Sequence, residues 1–383
     1  MGEEKGRQKK LLFLVTEDWY FCSHRLPIAR QALKSGFEVV VATHVQKHAK
    51  QITDEGFRLI PISMRRSGVT LVGELSALID LISLYRKEKP DIIHHVAMKP
   101  AIFGSIAALF SSAKLIVNAV NGLGTLFSST SKKTILLRFI IKNSLRFLFN
   151  RPKSHLIVQN PDDYKSLASL ASLNPDQISL IPGSGVDIAH FSVLAAPKNG
   201  YVIALVSRML QEKGVADLVE ATRILRADGI DVSLILAGRT DEDSATSIPQ
   251  AQLHEWSKCG YIKWVGTSND VREIWAKASI AVLPSYYREG VPKALLEAAA
   301  CGRPIITTDM PGCRDVVIHD QNGLLVPIKN PVALAQAIGK LLQEPQKRKT
   351  MGMAGRKRVE RVFSEEIIVQ QTIDLYNKAS QKP

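Results

Sequence analysis

Two carboxylates, Glu289 and Glu297, stand eight positions apart in YYREGVPKALLEAAACGRP, residues 286–304. Between them lie Gly290, Pro292 and an apolar run of helical character. A second pair, Arg208 and Lys213, flanks the segment SRMLQEKGV, in which Gly214 precedes a helical pattern. Two cations at a strand end, close to a helix N-terminus, suit an anion such as a phosphate. Either pair alone also has a plain structural explanation. Glu297 can be a solvated helix residue, Glu289 a favourable charge near a helix start, and the basic segment a solvated loop. Whether these residues act together depends on the elements that carry them.

Those elements follow a regular alternation. KLLFLVT (10–16), FEVVVAT (37–43), FRLIPIS (57–63), DIIHHVA (91–97), KLIVNAV (114–120), HLIVQN (155–160) and ISLIPG (178–183) are short apolar runs with polar borders. They read as buried strands. Helical patterns intervene, among them RLPIARQALKSG, closed by Gly36, and LVGELSALIDLISLYRKEK, closed by Pro90. After APKNG (196–200) the pattern restarts with YVIALVS, VSLILAG, YIKWVG, IAVLPS, RPIITTD and GLLVP. Alternating strands and helices predict parallel, doubly wound α/β sheets. Two such domains are expected, 1–187 and 188–364, with a helix over about 365–383 returning to the first. In such sheets ligands bind at the carboxyl ends of the strands. There the second domain presents Arg208 and Lys213, Gly238 after VSLILAG, Val265 and Gly266 closing YIKWVG, and Glu289 after IAVLPS. Their convergence on one end of one sheet favours a binding site over a set of unrelated loops.

Length and composition narrow the class. A chain of 383 residues with 45% hydrophobic side chains is a multi-domain globular protein rather than a disordered one. The four cysteines, Cys22, Cys259, Cys301 and Cys313, show no CxxC spacing, so a reducing compartment is the simplest expectation. The start MGEEKGRQKK does not read as a signal peptide, and the apolar stretch 101–113 is too short to span a bilayer. Charge is uneven: residues 1–183 carry 25 Lys and Arg against 14 acidic residues, and the remainder 25 against 22. A basic first half calls for an anionic partner, whether nucleic acid, membrane surface or substrate. Nucleic acid is disfavoured because the interleaved aromatics of RNA modules are missing. A dinucleotide oxidoreductase is disfavoured because no strand is followed by GxGxxG and a ribose-binding acid at the right distance.

The ordered set SRMLQEKG, AG, WVG, SYYREGVPKALLEAAACGRPIITTD and NGLLVP resembles the retaining glycosyltransferases of GT-B fold, and within them the large family 4, with Glu289 and Glu297 as its E-x7-E motif. In the first half, DWYFCSHRLPIA, DIIHHVAMKPAIFGSIAA and VNAVNGLGTLFSS resemble members that build bacterial surface polysaccharides and lipid-linked oligosaccharides. The resemblance implies two Rossmann-like domains facing across a cleft. It implies transfer of a sugar from a nucleoside diphosphate sugar, a UDP-sugar above all, to a polyprenyl-diphosphate-linked or other glycan acceptor. The product is an α-linkage, and neither cofactor nor metal is expected. Glu289, Arg208 and Lys213 are then the catalytic group: the cations neutralise the departing diphosphate and Glu289 lies beside the sugar. Glu297 takes the ribose hydroxyls, and Gly290, Val291, Gly238, Gly266 and Val265 contact the donor. An acceptor of this kind implies a cytoplasmic enzyme, peripheral on the inner face of the bacterial membrane.

Other features are less specific. DED at 241–243 mimics a metal motif of another glycosyltransferase fold, but its polar surroundings read as a surface loop. His95 and Lys99, after the fourth strand, His24 and Arg25 in the first loop, and Asn121 in NGLG are candidates for the acceptor side or the cleft wall. The first loop lacks the glycines common in relatives, which points it toward the acceptor rather than a phosphate. The stretch 132–153 interleaves Leu and Phe with Lys133, Arg138, Lys142, Arg146 and Arg151. It suits an interfacial helix on anionic lipid or a core-packed helix with a basic outer face.

Overall fold

The computed structural model describes residues 7–66, 70–122, 143–197 and 200–380. The chain forms two compact units, one ending at Ser184 and taking up the chain again from Glu366, the other Gly185–Glu365.

The first unit is built on seven parallel strands: β1 (Lys10–Glu17), β2 (Glu38–His44), β3 (Arg58–Pro61), β4 (Ile92–Val96), β5 (Leu115–Val120), β6 (Ser154–Val158) and β7 (Ile178–Leu180), in the order β3-β2-β1-β4-β5-β6-β7. Among the described residues its helices include α1 (Asp18–His24), α2 (Leu26–Lys34), α3 (Ala49–Asp54), α4 (Leu71–Glu88), α5 (Met98–Ala108) and α6 (Pro161–Ala171), with a further helical stretch over 143–149. Strands covered by helices on both faces must be apolar throughout, and β1 and β4 are buried almost end to end. The helix expected over RLPIARQALK is preceded by a separate short one. Arg25 breaks the pair with non-helical angles, and Pro27 opens α2 in its first turn. Thr70 and Asn160 cap α4 and α6, their side chains accepting from the N–H groups of Gly73 and Asp163 at 3.2 and 2.8 Å.

The second unit has six parallel strands, β8 (Tyr201–Val206), β9 (Val232–Ala237), β10 (Ile262–Trp264), β11 (Ile280–Leu283), β12 (Ile305–Thr308) and β13 (Gly323–Val326), ordered β10-β9-β8-β11-β12-β13. Its helices are α7 (Val215–Ala227), α8 (Gln250–Ser257), α9 (Arg272–Lys277), α10 (Lys293–Ala300), α11 (Cys313–Val316), α12 (Pro331–Gln343) and α13 (Pro345–Arg358). One apolar core joins the strands to α7, α10 and α12, with Leu218, Leu225, Leu295, Leu296, Leu334 and Ile338 fully or almost fully buried. The chain then returns to the first unit as α14 (Glu365–Ser380), whose Ile368, Val369, Ile373 and Tyr376 enter a core shared with β1, β2 and α2.

Each sheet reverses its winding once, between β1 and β4 in the first unit and between β8 and β11 in the second. Such a reversal opens a crevice at the carboxyl ends of the two strands. Glu289 belongs to the loop between β11 and α10, not to a helix: α10 starts at Lys293, one position after Pro292.

Candidate functional site

The reversal in the second sheet sets two loops side by side. After β8 the chain passes through Arg208 and a short 3-10 turn, Gln211–Lys213, into α7. After β11 it passes through Ser285 and Glu289 into α10. The loops are bonded to each other: the Tyr286 N–H donates to the Glu212 carbonyl at 3.0 Å and the Ser285 hydroxyl approaches the same carbonyl at 3.1 Å. Gly214 sits between them at φ +70°, and a Cβ there would lie 2.2 Å from the Pro284 carbonyl oxygen. The close approach of the two loops therefore requires glycine.

On this frame Lys213 Nζ forms an ion pair with Glu289 Oε1, which also accepts from Ser285 at 2.9 Å. The Lys213 and Glu289 side chains are only 13% and 11% exposed, so the pair is held in a largely desolvated place where charge interactions are strong. Arg208 is paired with Asp241, 7% exposed, from the loop after β9. The residues expected as separate catalytic groups thus meet as balanced cation–carboxylate pairs around the carboxyl ends of β8, β9 and β11. Each cation is thereby balanced by a carboxylate, so the arrangement holds no isolated buried charge.

Glu297 follows one turn inside α10, four residues after Lys293. It makes no hydrogen bond through its carboxyl to any described residue. Burial pushes that carboxyl up to about 7, with Lys293 pulling weakly the other way. A partly buried acid with no bonded partner suits a hydroxyl-bearing ligand, because a carboxylate offers acceptor sites to two hydroxyls at once. Gly238 and Gly266 close β9 and β10; the Gly238 N–H donates to the Gly266 carbonyl at 2.7 Å, and Trp264 Nε1 donates to the Gly238 carbonyl at 2.9 Å. Gly238 has φ +141°, and a Cβ would fall 1.7 Å from the Ser207 carbonyl oxygen. Val265 is partly buried against the core, its N–H donating to Leu236. Gly290 and Val291 lie in the loop that carries Glu289, and a Cβ on Gly312 would strike the Gly290 carbonyl at 2.2 Å.

Two expectations need correction. Asp241 is not part of a solvated loop. It is buried and paired with Arg208, while Glu242 and Asp243 are exposed. His95 is not at a cleft. Its ring is fully buried between Tyr85, whose hydroxyl lies 3.0 Å from Nε2, and Asn118, whose Oδ1 lies 2.8 Å from Nδ1. Burial lowers it to about 4, so the ring is neutral. A Cβ on Gly104 would sit 2.3 Å from its Nε2, so α5 passes directly over the ring. His94 is equally buried, bonded through Nδ1 to the Tyr376 hydroxyl.

In the first unit Arg25 and Asn121 do come together. Arg25, 3% exposed, donates to Asn121 Oδ1 at 3.0 Å, an oxygen that Gln159 also reaches at 2.8 Å, and Asn121 Nδ2 donates to the Tyr20 hydroxyl at 2.7 Å. His24 stacks on Tyr20 with ring centroids 4.1 Å apart. This polar cluster closes the carboxyl ends of β1, β5 and β6. Lys99 lies apart from it, paired with Glu74 of α4 at 2.6 Å. Residues 123–142, with most of the basic stretch and the end of NGLG, lie outside the described residues. Of the part that is described, Leu145, Leu148 and Phe149 are core residues and Phe147 is exposed. Sequence reasoning missed Ser285, Asp241, Tyr20 and Gln159. Only Ser285, the second residue after β11, carried a positional signal.

These features define a two-unit α/β enzyme of the glycosyltransferase class. A family model described as Glycosyl transferase 4-like matches residues 10–191, and one described as Glycosyl transferases group 1 matches residues 187–358. The chain belongs to family 4 of the GT-B glycosyltransferases. It is 25% identical over 384 residues to the capsular polysaccharide biosynthesis glycosyltransferase CapM of Staphylococcus aureus, covering 97% of each chain. It is 26% identical to the N,N'-diacetylbacillosaminyl-diphospho-undecaprenol alpha-1,3-N-acetylgalactosaminyltransferase of Campylobacter jejuni, covering 92% of this chain and 94% of that one. In fold it is similar to Anabaena HepE, solved with UDP and glucose, at a TM-score of 0.77 and 18% identity over 97% of this chain and all of the other.

Proposed function

We propose that the protein is a retaining glycosyltransferase that moves a sugar from a UDP-sugar to a polyprenyl-diphosphate-linked glycan and forms an α-linkage without a metal. The observation that carries the reading is the pairing of Lys213 with Glu289 beside Arg208, at the reversal point of the second sheet. The acceptor class draws on the Campylobacter relative and on an Escherichia coli relative named UDP-Gal:alpha-D-GlcNAc-diphosphoundecaprenol alpha-1,3-galactosyltransferase, 25% identical over 72% of this chain.

In this mechanism the bond between the anomeric carbon and the β-phosphate oxygen breaks, leaving negative charge on the diphosphate and positive charge on the ring. Arg208 and Lys213 exchange their carboxylate partners for the departing oxygens, so stabilisation grows as the charge does. Glu289, released from Lys213, faces the ring and orients its hydroxyls. The acceptor hydroxyl attacks from the face the leaving group departs, and its proton passes to the leaving phosphate oxygen. Glu297 holds the ribose hydroxyls and fixes the other end of the donor. The first unit, with Arg25, Asn121 and His24, takes the acceptor, and the protein works peripherally on the cytoplasmic face of the membrane.

The test is product formation from a panel of nucleotide sugars and a polyprenyl-diphosphate-linked sugar in chelator, with the anomeric configuration read by proton NMR. An α-linked product from a UDP-sugar is expected. A β-linked product, or a requirement for divalent metal, refutes the reading.

A further inference from the structure

Among the described residues, four of the five most exposed large apolar side chains gather on one helix, the fifth being Phe147. In α4, Leu71 is 87% exposed, Val72 78%, Leu75 60% and Ile79 59%. At 100° per residue these four fall within about a quarter-turn of the helix surface and run about 12 Å along its axis. The opposite face is already buried: Ala77, Leu81 and Tyr85 pack in the core with Leu12, Leu14 and Val40. A helix with an apolar face inside and a second one outside has more apolar surface than its own unit covers.

The charge around the outer face is basic. Arg65 is exposed shortly before the helix. Arg86 lies two turns beyond Ile79 on the same face, its guanidinium 5.5 Å from the ring centroid of Phe110, which is itself half exposed. Lys87 is exposed beside it. Of the nearby acids, Glu74 is neutralised by Lys99, and Asp80 lies on the far edge, accepting from Ser63 at 3.0 Å. An apolar stripe with basic ends matches an anionic bilayer surface, where apolar side chains enter the acyl boundary and cations meet the headgroups.

We infer that the outward face of α4, Leu71, Val72, Leu75 and Ile79 with Arg65 and Arg86, is the surface by which the protein docks on an anionic lipid bilayer. The placement serves a purpose. β3 feeds α4 from its carboxyl end, and Lys99, just past β4, holds Glu74 in the first turn of the helix. The apolar end of α4 therefore stands at the carboxyl end of the first sheet, the end that also carries Arg25 and Asn121. The use of this surface to meet a lipid-borne acceptor rests on the function proposed above; the docking itself does not.

The experiment is flotation of the full chain with phosphatidylcholine vesicles, with and without phosphatidylglycerol, in the absence of sugar donor and acceptor. Its result is thereby separate from whether the protein transfers sugar to a polyprenyl acceptor. Wild type is expected to float only with the anionic vesicles, and less so as salt is raised. Leu75→Glu combined with Ile79→Glu is expected to weaken that binding by about tenfold or more, while transfer to a short-chain, water-soluble acceptor stays within about twofold. As a second reading, Leu75→Trp should show an indole emission shifted to the blue and quenched by brominated lipid. Unchanged flotation of the double variant, an indole that stays in water on vesicles, or a wild-type dimer that the double variant turns into monomers with flotation unaffected would each overturn the inference.

Discussion

Lys213 and Glu289 form an ion pair in a largely desolvated place, so removing either takes a charge partner from the other. Lys213→Ala is expected to lower kcat by about 100-fold or more, since it deletes a cation needed as charge develops on the leaving group. Glu289→Ala should lose a comparable factor. The double variant should be more stable than the sum of the single losses allows, because it leaves no unpaired charge. A double-mutant cycle read in both kcat and Tm checks this; additive changes in Tm would mean the pair contributes no coupling. Glu297 gives a pH signature. Its carboxyl is raised from 4.5 to about 7, so the folded protein holds a proton that the unfolded chain gives up between those values. Stability from this group is present below about pH 4.5 and is lost as pH rises through about 7. On the role proposed for Glu297, donor binding uses the ionised form and moves oppositely, strengthening as pH rises toward 8. Glu297→Gln should flatten both trends and unfold at a higher temperature than wild type at pH 8, by roughly 1–3 kcal/mol of stability. Titration of uridine nucleotide affinity between pH 6 and 8 in both proteins decides it.

At the scale of elements, the strands were legible in the sequence because parallel strands covered on both faces are short apolar runs, and every run read as a strand forms one. The carboxyl ends of those strands were legible too, since a site there follows from the class of sheet. Side-chain partners across long separations were not. His95 read as a site residue because histidine in a strand end suggests chemistry. Yet every residue of β4 is buried, and the ring is satisfied by Tyr85 and Asn118, which no local pattern announces. Asp241 read as a loop acid because its neighbours are polar, and its partner Arg208 is 33 positions away. Tyr376, 282 residues from His94, ties α14 to β4 in the same way. Burial holds His94 well below its ordinary value, so the ring stays neutral. Its Nε2 is buried with no hydrogen-bond partner, which leaves the tyrosine hydroxyl as the ring's bonded partner. Tyr376→Phe should therefore destabilise the first unit by about 1–3 kcal/mol, more than an exposed hydroxyl would, with no change in KM for the donor. Thermal unfolding beside donor titration reads it. Gly238→Ala is the matching test in the second unit. The Cβ collides with the Ser207 carbonyl at the base of the Arg208 loop, so donor affinity should fall together with stability.

At the scale of the whole molecule, the chain crosses between the units twice, near Ser184 and near Glu365, so the second unit is one continuous segment and the first is completed by the last helix. Every residue assigned to the donor lies in that continuous segment. A ligand that binds only the folded form stabilises it by RT ln(1 + [L]/Kd), about 2.7 kcal/mol at 100 times Kd. For a unit of this size each kcal/mol raises Tm by about 2–4 °C, so a saturating uridine nucleotide should raise the transition of the second unit by roughly 5–10 °C. Hydrogen exchange should locate the effect, with slowed exchange at 207–214 and 284–292 and at the ends of β9 and β10. The strands β1 to β5 should exchange as before at their centres. If Arg208 and Lys213 supply the positive charge as proposed, the shift should be the same in chelator, and Lys213→Ala should reduce it. A shift that requires a divalent ion, or protection confined to residues before 185, would place the nucleotide elsewhere and remove the basis for assigning Glu289 and Glu297 to the two ends of one ligand.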